Sequence, residues 1–330
     1  MAKKHIRLGF ADFDPGFDYR KMYLYKWLCT QFDVEVTQNH PDFLICCSFG
    51  VGYMAYPGSV KILISCENTS ADFNFYDYAV TSDPIVFGDR HFRMPYWAIS
   101  RHCFDDKTAG RHYGVDMQSA PARKFCNFVY SNSSRLCAIP ARDDIFHALS
   151  KYKHVDSGGG HLNNMGGKRV ADKLDFIHDY KFTIACENSI KPGYSTEKLT
   201  EPLVARSVPI YFGDPLVAQE FNPKAFVNVA DFKSLDDMVA YVKYLDENDE
   251  AYRAMLAEPM FPGGEDVIEK YRKGFEEFLI GIFSREPSEA RRTVDYGWTR
   301  NHCAFLKYKC APFRERLRKV IDVHRKRLGL

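Results

Sequence analysis

Short apolar runs alternate with amphipathic stretches along most of this chain. In the first third, residues 5–10, 34–37, 43–47, 60–66 and 78–81 are strand-like, whereas residues 19–32 have helical spacing. The pattern resumes with strand-like residues 125–130 and 226–232 and with amphipathic stretches at 141–152, 235–245 and 267–283. Strands that alternate with helices predict α/β domains with mostly parallel sheets.

Residues 101–124 separate the two halves of this pattern. They are polar, contain Gly110, Gly114 and Pro121, and have weak periodicity, which is typical of a loop or an interdomain linker. We therefore predict an N-terminal α/β domain (1–120), a C-terminal α/β domain (121–310) and a basic amphipathic helix (311–330).

The most informative stretch runs from residue 180 to residue 215. Residues 182–186 and 208–212 predict two buried strands, and a helix capped by Ser195 or Thr196 lies between them. Such a unit implies a right-handed crossover, with ligands at the carboxyl ends of parallel strands. Polar residues collect at that end of the stretch: Glu187, Asn188, Tyr194, Glu197 and Lys198.

Pro202 conflicts with a regular helix in this stretch because it removes a backbone hydrogen bond. Either the helix is kinked, or residues 195–198 form a separate turn and Thr200 caps the helix proper. Both alternatives keep Lys198 near a helix N-terminus.

Composition and charge narrow the class of protein. The chain has 330 residues, of which 45% are hydrophobic and 15% aromatic, and its formal net charge of +2 argues against a nucleic-acid platform. None of the 10 cysteines forms a CxxC pair, so a zinc ribbon is not supported. Several of the cysteines lie in apolar, strand-like runs, as buried free thiols do, which indicates a reducing compartment. Only proximity supports a Cys303–Cys310 disulfide.

Localisation can be predicted from the absence of long apolar runs. No stretch approaches the roughly 18 apolar residues of a membrane span, and no signal peptide is evident. We expect a cytoplasmic protein, unless the chain is a trimmed piece. The basic segment 311–330 could touch the inner membrane face as a peripheral contact, but docking across the other domain, with its basic face in solvent, is favoured.

Three short motifs could carry chemistry, and each also has a plainer structural explanation. Asp12-Phe13-Asp14 could hold a metal on a nucleotide diphosphate, but Pro15-Gly16 favours an Asp-rich turn. Glu67 follows an apolar strand, where catalytic groups collect, although most such carboxylates are surface groups. Gly158-Gly159-Gly160 would let backbone N–H groups approach a phosphate, which alone is weak evidence.

Several of these runs carry a resemblance. Cys186-Glu-Asn-Ser, Tyr194-Ser-Thr-Glu-Lys-Leu and Val208-Pro-Ile-Tyr-Phe-Gly-Asp-Pro resemble the signature of the α1,3/4-fucosyltransferases, glycosyltransferase family 10. The runs that begin at Glu67, Arg93 and Phe125 are also similar to that family. The resemblance extends over roughly residues 60–231, about half of the chain.

The resemblance implies a GT-B-like fold, in which two Rossmann-like α/β domains face each other across a cleft. It also implies that fucose is transferred from GDP-fucose, bound by the C-terminal half, to a glycan bound by the N-terminal half. The acceptor would be the N-acetylglucosamine of a LacNAc, type 1 or Lewis-type glycan, and the product an α1,3 or α1,3/4 linkage. We expect a single displacement with inversion that needs no metal and no cofactor.

The resemblance assigns roles to individual residues. Glu67 would be the general base, and Lys198, with the N–H groups around it, would stabilise the departing diphosphate. Glu197 would accept hydrogen bonds from ribose hydroxyls. Asn188 and Tyr194 would border the fucose or the diphosphate, and Ser131 and Asn132 would either bind the nucleotide or cap a turn. The predicted acceptor-binding residues are Asn68, Asp72, Tyr96 and Trp97, the last two of which could instead pack in the core.

The chain departs from the family at one position. Asn163 stands where some relatives have an Arg that contacts the diphosphate, and Lys168 or Arg169 could supply the missing cation. Two other functions stay open at this point: a GT-B enzyme with a different nucleotide sugar, and a glycan-binding protein without catalysis.

Overall fold

The computed structural model describes residues 2–65, 67–103, 111–131, 139–262 and 267–294, together with isolated positions between 304 and 321. Cys303 and Cys310, whose proximity in sequence is the only support for a disulfide, lie outside the described residues, as does most of the basic segment 311–330. Among the described helices, none combines the length and the apolar character that crossing a bilayer requires.

The first sheet has six parallel strands in the order β2-β1-β3-β4-β5-β6. Its strands are β1 (His5–Ala11), β2 (Asp33–Val36), β3 (Phe43–Cys46), β4 (Val60–Ile64), β5 (Tyr78–Thr81) and β6 (His91–Arg93). Helices α1 (Tyr23–Gln31) and α2 (Tyr96–Cys103) belong to the same segment. The parallel sheet predicted from alternating apolar and amphipathic stretches is therefore confirmed.

The second sheet has five parallel strands in the order β11-β10-β9-β7-β8. They are β7 (Lys124–Phe128), β8 (Val155–Ser157), β9 (Tyr180–Cys186), β10 (Val208–Phe212) and β11 (Val227–Asn228). The helices of this half of the chain are α3 (Ile139–Tyr152), α4 (Lys173–His178), α5 (Glu197–Val204), α6 (Leu235–Glu247), α7 (Asp249–Ala257), α8 (Val267–Phe283) and α9 (Pro287–Ala290).

Burial explains why the central strands are mostly apolar. Every residue of β3, β4 and β9 is buried, as expected for parallel strands covered on both faces. The thiols of Cys46, Cys126 and Cys186 are free and buried in these sheets, which matches the expectation from their apolar neighbours.

Two local predictions need correction. The strand predicted for residues 226–232 ends at Asn228, because the Asn228 side chain accepts a hydrogen bond from the Ala230 N–H and starts a 3-10 turn. Around Pro202, Thr196 is the N-cap and the helix runs from Glu197 through Pro202 to Val204, so Thr200 is not the cap. Pro202 is the sixth residue of α5, beyond its first turn, so one intrahelical hydrogen bond is lost.

Helix α8 packs on the first sheet although it lies far along the chain. Its residues Phe275, Leu279 and Phe283 join the core of β1, β3 and β4, and the Phe283 ring centre lies 4.8 Å from that of Phe43. The chain therefore returns to its N-terminal half after completing the second sheet. The predicted boundaries at residues 120 and 310 stay predictions.

The two lobes meet at the loop before α5. Trp97 N–H donates to the Ser195 carbonyl at 3.2 Å, and Lys191 forms an ion pair with Asp83 at 2.6 Å. Gly193 has a φ of +80°, and a Cβ there would collide with the Ser82 carbonyl. Only glycine fits this close approach, which fixes the loop against the first lobe.

Candidate active site

The loop between β9 and α5 is organised by one buried carboxylate, that of Glu187. Its Oε1 accepts a hydrogen bond from the Thr196 N–H at 2.7 Å, and its Oε2 accepts one from the Thr196 hydroxyl at 2.6 Å. Burial raises the pKa of Glu187 to about 7, against the opposing effect of the positive charge of Lys198. The sequence placed Glu187 at the strand end but assigned it no role. The available signal was a lone carboxylate that follows a mostly apolar strand.

Lys198 carries its charge between two carboxylates. The Nζ atom lies 3.0 Å from Oε1 of Glu197 and 3.8 Å from Oε2 of Glu187, and the side chain is 13% exposed. Burial alone would lower the pKa of Lys198, but the two carboxylates raise it overall. The ammonium is therefore a permanent positive charge at the start of α5.

The N–H groups beside Lys198 are less available than the sequence suggested. The Lys198 N–H donates to Oγ1 of Thr196 at 3.2 Å, and the Thr196 N–H is taken by Glu187. Binding of an anion here would rest mainly on the ammonium. The side chain of Glu197 is 34% exposed, and its pKa is lowered. Burial would raise this pKa, but the charges of Lys198 and Lys173 and the hydrogen bond from Lys198 together outweigh burial.

Glu67 approaches this group from the first lobe. It follows β4, and its backbone is fixed by Ser65, whose hydroxyl donates to the Glu67 carbonyl at 3.0 Å. Among the described residues, no hydrogen-bond donor contacts its exposed carboxylate. Partial desolvation raises the pKa of Glu67, the positive charge of Lys198 lowers it, and the negative charge of Glu197 raises it. Glu67 is therefore within electrostatic reach of both residues.

Tyr194 supports the same grouping. It is 2% exposed, and its pKa is raised by burial and by the charges of Glu187, Glu67 and Glu197. Its ring packs edge-on against Tyr96 of the first lobe, with ring centres 6.3 Å apart. The structure thus brings Glu67 and Tyr96 of one lobe into the vicinity of the Tyr194–Lys198 segment of the other.

The predicted acceptor-binding residues fall into different environments. Oδ1 of Asn68 is buried without a hydrogen-bond partner in the described part of the chain, directly beside Glu67. Asp72 is committed to a turn, because its Oδ1 accepts from the Asn74 N–H at 2.9 Å and from the Asn74 amide at 2.8 Å.

Trp97 adopts the packing role that the sequence left as an alternative. It is 5% exposed, and its ring packs against Phe221, Phe261 and Tyr271 at centre distances of 5.3–5.7 Å. Its Nε1 donates to Glu220 at 3.4 Å. Trp97 therefore joins the lobes from inside the core and offers no face to an acceptor.

The Gly-rich turn after β8 packs against the end of β7. A Cβ on Gly159 would lie 2.5 Å from the Tyr130 backbone nitrogen and still closer to its carbonyl oxygen. Asn163, at the position of the family's Arg, binds within this loop: its amide donates to the carbonyls of Gly159 at 2.7 Å and of Lys168 at 3.0 Å. Gly159 is thus required for packing, and Asn163 holds the loop together.

Of the two candidate replacement cations, Arg169 lies at the turn. A Cβ on Gly160 would be 2.9 Å from Nη2 of Arg169, so the guanidinium covers this glycine. Lys168 is exposed, and its ammonium forms no hydrogen bond or ion pair within the described residues. Arg169 is therefore the better placed of the two.

Two further predicted donor residues flank the point where the strand order reverses, between β7 and β9. Ser131 is exposed shortly after β7, and Asn188 is partly buried shortly after β9. Ligands of such sheets bind at this position. Asn132 lies outside the described residues.

Sequence reasoning also missed a buried cation beneath this point. Arg142 of α3 is 1% exposed, and its guanidinium lies 4.2 Å from the centre of the Tyr130 ring. The Tyr130 hydroxyl in turn bonds to the backbone of β9, accepting from the Cys186 N–H at 2.6 Å. Within an amphipathic helix, nothing in the sequence distinguishes such an Arg from a surface one.

Two family models match the chain. The model "Glycosyltransferase family 10 (fucosyltransferase) C-term" matches residues 121–257, and "Alpha-(1,3)-fucosyltransferase FucT N-terminal domain" matches residues 8–100. The chain belongs to glycosyltransferase family 10. The membership inferred from the motifs is thereby confirmed.

Curated relatives of this family 10 chain include two fucosyltransferases of different kinds. Alpha-(1,3)-fucosyltransferase FucT of Helicobacter pylori is 32% identical over 278 residues, which are 73% of this chain and 56% of the relative. GDP-fucose protein O-fucosyltransferase 3 of Gallus gallus is 32% identical over 179 residues, 51% of this chain and 37% of the relative. The family 10 chain thus spans about half or less of the length of these relatives.

A solved structure has the same architecture. The crystal structure of alpha1,3-fucosyltransferase with GDP-fucose superposes with a TM-score of 0.68 at 26% identity, over 84% of this family 10 chain and 91% of the other. The predicted GT-B-like fold of two Rossmann-like domains is confirmed.

Proposed function

We propose that this chain is an inverting fucosyltransferase that moves fucose from GDP-fucose to a glycan hydroxyl. The observation that carries the proposal is the contact of Tyr96 from one lobe with Tyr194 from the other, where the charges of Lys198 and Glu197 act on Glu67. Membership in family 10 and the similarity to a fucosyltransferase crystallised with GDP-fucose support this donor.

In the proposed reaction, Glu67 accepts the proton of the acceptor hydroxyl as its oxygen attacks the anomeric carbon of fucose. The bond from that carbon to the phosphate oxygen breaks, its electron pair leaves with GDP, and the configuration inverts. A carboxylate whose pKa is raised is a stronger base toward a hydroxyl, and Glu67 has this property.

On the donor side, the charge that develops on the leaving diphosphate requires a nearby cation. Lys198 is positively charged, largely buried and fixed by two carboxylates, so little reorganisation is needed during the reaction. Glu197 would accept hydrogen bonds from the ribose. Arg169, at the Gly-rich turn, would balance the second phosphate charge in place of the Arg that Asn163 replaces. We propose that no metal is required.

For the acceptor, we propose the N-acetylglucosamine of LacNAc, type 1 or Lewis-type glycans, with an α1,3 or α1,3/4 linkage. The match to Helicobacter pylori alpha-(1,3)-fucosyltransferase FucT supports the α1,3 linkage. The protein O-fucosyltransferase match covers 51% of this chain, so a protein acceptor serves as a comparison in the assay.

The decisive experiment incubates the full chain and GDP-fucose with type 1 and type 2 glycans and a Ser/Thr-containing protein domain, in EDTA, followed by linkage analysis. We expect 3-linked fucose on N-acetylglucosamine. Thermal-shift assays should show stabilisation by GDP-fucose and not by UDP or ADP sugars; the reverse would indicate another nucleotide sugar.

Two variants test the assigned roles. Glu67→Gln should abolish turnover and retain GDP-fucose binding. Turnover by the wild type that is lost in this variant would also exclude a protein that only binds glycans. Glu35→Gln, an exposed carboxylate on the edge strand β2, is the matched control and should leave turnover unchanged. Lys198→Ala should weaken GDP binding sharply. Retained turnover in Glu67→Gln, or unchanged GDP affinity in Lys198→Ala, would refute the respective assignment.

A further inference from the structure

The loop after β1 lies at the second point of strand-order reversal in the molecule. In the first sheet, β1 is followed along the chain by β2 on one side, while β3 pairs on its other side. Crevices outside the carboxyl ends of such strands are the usual ligand sites of parallel sheets. In the second sheet the equivalent position adjoins the predicted donor-binding residues. In the first sheet, none of the predicted site residues occupies the loop after β1.

Asp12 holds this loop and is not available to a ligand. Its Oδ1 accepts from the Gly52 N–H at 2.5 Å and its Oδ2 from the Tyr53 N–H at 3.0 Å, and its φ is +64°. A Cβ on Gly50 would collide with the carboxylate. The loops after β1 and β3 are therefore clamped together, so the Asp12-Phe13-Asp14 motif is a turn of fixed geometry.

The clamped loop presents two stacked aromatic rings. Phe17 N–H donates to the Asp14 carbonyl at 3.1 Å across Pro15 and Gly16, whose φ is +88°, as in a type II turn. The turn brings Phe17 onto Phe13 with ring centres 3.9 Å apart and planes at 10°. Both side chains pack against Phe10 at the rim of the first core and are partly exposed, so the stacked pair leaves part of its apolar surface open to solvent.

Asp14 adds a carboxylate beside this surface. It is exposed, and no hydrogen bond to its side chain occurs in the part of the chain that the structure describes. Asp14 follows β1 and Glu67 follows β4, so both lie at the carboxyl edge of the first sheet with only β3 between their strands. The negative charge of Asp14 contributes to the raised pKa of Glu67. A flat aromatic pair next to an open carboxylate offers a sugar ring both an apolar contact and an acceptor for its hydroxyls.

We propose that Phe13, Phe17 and Asp14 form an acceptor subsite for a neutral pyranose ring, adjacent to the ring that receives fucose. The inference rests on the proposed function and names the substrate class of the same crevice. The sugar's apolar face stacks on the aromatic pair, and its hydroxyls donate to Asp14. Because Asp14, Glu67 and Glu197 are all acidic, a carboxylate-bearing sugar is repelled and a neutral one is accepted.

The kinetic test uses N-acetyllactosamine as acceptor at saturating GDP-fucose. Asp14→Asn should raise the KM for the disaccharide about tenfold, the loss expected for one hydrogen bond to a charged group. Phe17→Leu should raise it as well, and the affinity for GDP should stay unchanged in both. Glu35→Gln, with the same charge change in the same lobe, should leave this KM unaltered.

The specificity test compares N-acetyllactosamine with its 3′-sialylated form. The wild type should prefer the neutral acceptor, and Asp14→Asn should narrow that preference severalfold because one repelling charge is gone. An equal or wider preference in the variant would overturn the assignment of Asp14. Thermal unfolding identifies any loss of fold in Phe17→Leu, and Asp14→Asn keeps the turn because only the Asp14 backbone forms it.

Ligand-observed NMR titration of the GDP-loaded protein with N-acetyllactosamine separates this proposal from the proposed function. If the wild type transfers no fucose but binds the disaccharide, and Asp14→Asn weakens that binding, the subsite stands and the fucosyltransferase assignment fails. If the wild type transfers fucose and neither Asp14→Asn nor Phe17→Leu changes KM or NMR affinity, the subsite is overturned and the function stands.

Discussion

Replacing Glu187 by Gln removes a proton-binding group from the most buried point of the site. In the folded protein the pKa of this carboxyl is about 7, whereas its ordinary value is 4.5, and burial is the main cause. Gln has nearly the same shape: its amide oxygen can accept from the Thr196 N–H, and its NH2 group can donate to the Thr196 hydroxyl, which reverses that hydrogen bond. The substitution therefore isolates the cost of a charge at this position.

The direction of the effect follows from proton linkage. Between pH 4.5 and pH 7 the folded protein keeps the proton on Glu187 while the unfolded chain has lost it. The free energy of unfolding of the wild type therefore falls as the pH rises through this window, by about 3 kcal/mol for a pKa difference of this size. The Gln variant lacks this contribution, so its stability relative to the wild type should increase with pH.

Urea unfolding of both proteins at intervals from pH 4.5 to pH 8 measures the effect. The difference in free energy of unfolding, variant minus wild type, cancels the titrating groups that Glu187 does not influence and should rise by about 3 kcal/mol. Glu277→Gln, on the exposed face of α8, is the control and should give a flat difference. A flat or falling difference for Glu187→Gln would show that the carboxylate is ionised without cost.

Three other substitutions test separate parts of the structure. Gly159→Ala forces a Cβ against the Tyr130 backbone and should lower the free energy of unfolding in urea by about 3 kcal/mol or more. Gly58→Ala is the control and should cost little, because nothing lies within 4 Å of the new Cβ. Equal stabilities of the two variants would contradict the close packing at Gly159. Arg93→Met leaves Glu220, its ion-pair partner at the lobe junction, buried without its counter-charge and should cost about 3–5 kcal/mol. The double variant with Glu220→Leu should recover part of that loss, and simple additivity of the two single losses would refute the coupling. Glu197→Gln should move the acid limb of kcat/KM for the acceptor to lower pH, because the charge of Glu197 raises the pKa of Glu67; an unmoved limb would mean that Glu67 is not the titrating base.

The sequence predicted the parallel sheets because parallel strands are apolar on both faces and leave a clear pattern. It also located Glu197 and Lys198 at the start of a helix. It could not choose between Ser195, Thr196 and Thr200 as the cap, since all three side chains can cap and only the hydrogen bond from the Lys198 N–H distinguishes them.

Other features depend on contacts between distant parts of the chain. Trp97 and Tyr96 are neighbours in sequence, yet one is a core residue and the other packs on Tyr194. Glu187 organises its loop through contacts with Thr196 and Lys198, which lie about ten residues further along the chain. The local sequence pattern does not show which residues will contact the other lobe.

The return of α8 to the first sheet has a consequence for how the molecule can be divided. A fragment of residues 1–120 would leave Phe43 and Phe32 without the Phe283 ring that covers them. Such a half should be insoluble by itself and should be rescued by a peptide of residues 267–283 added in trans. The first lobe is therefore assembled from both early and late portions of the polypeptide, and synthesis must proceed past Phe283 before its core can close.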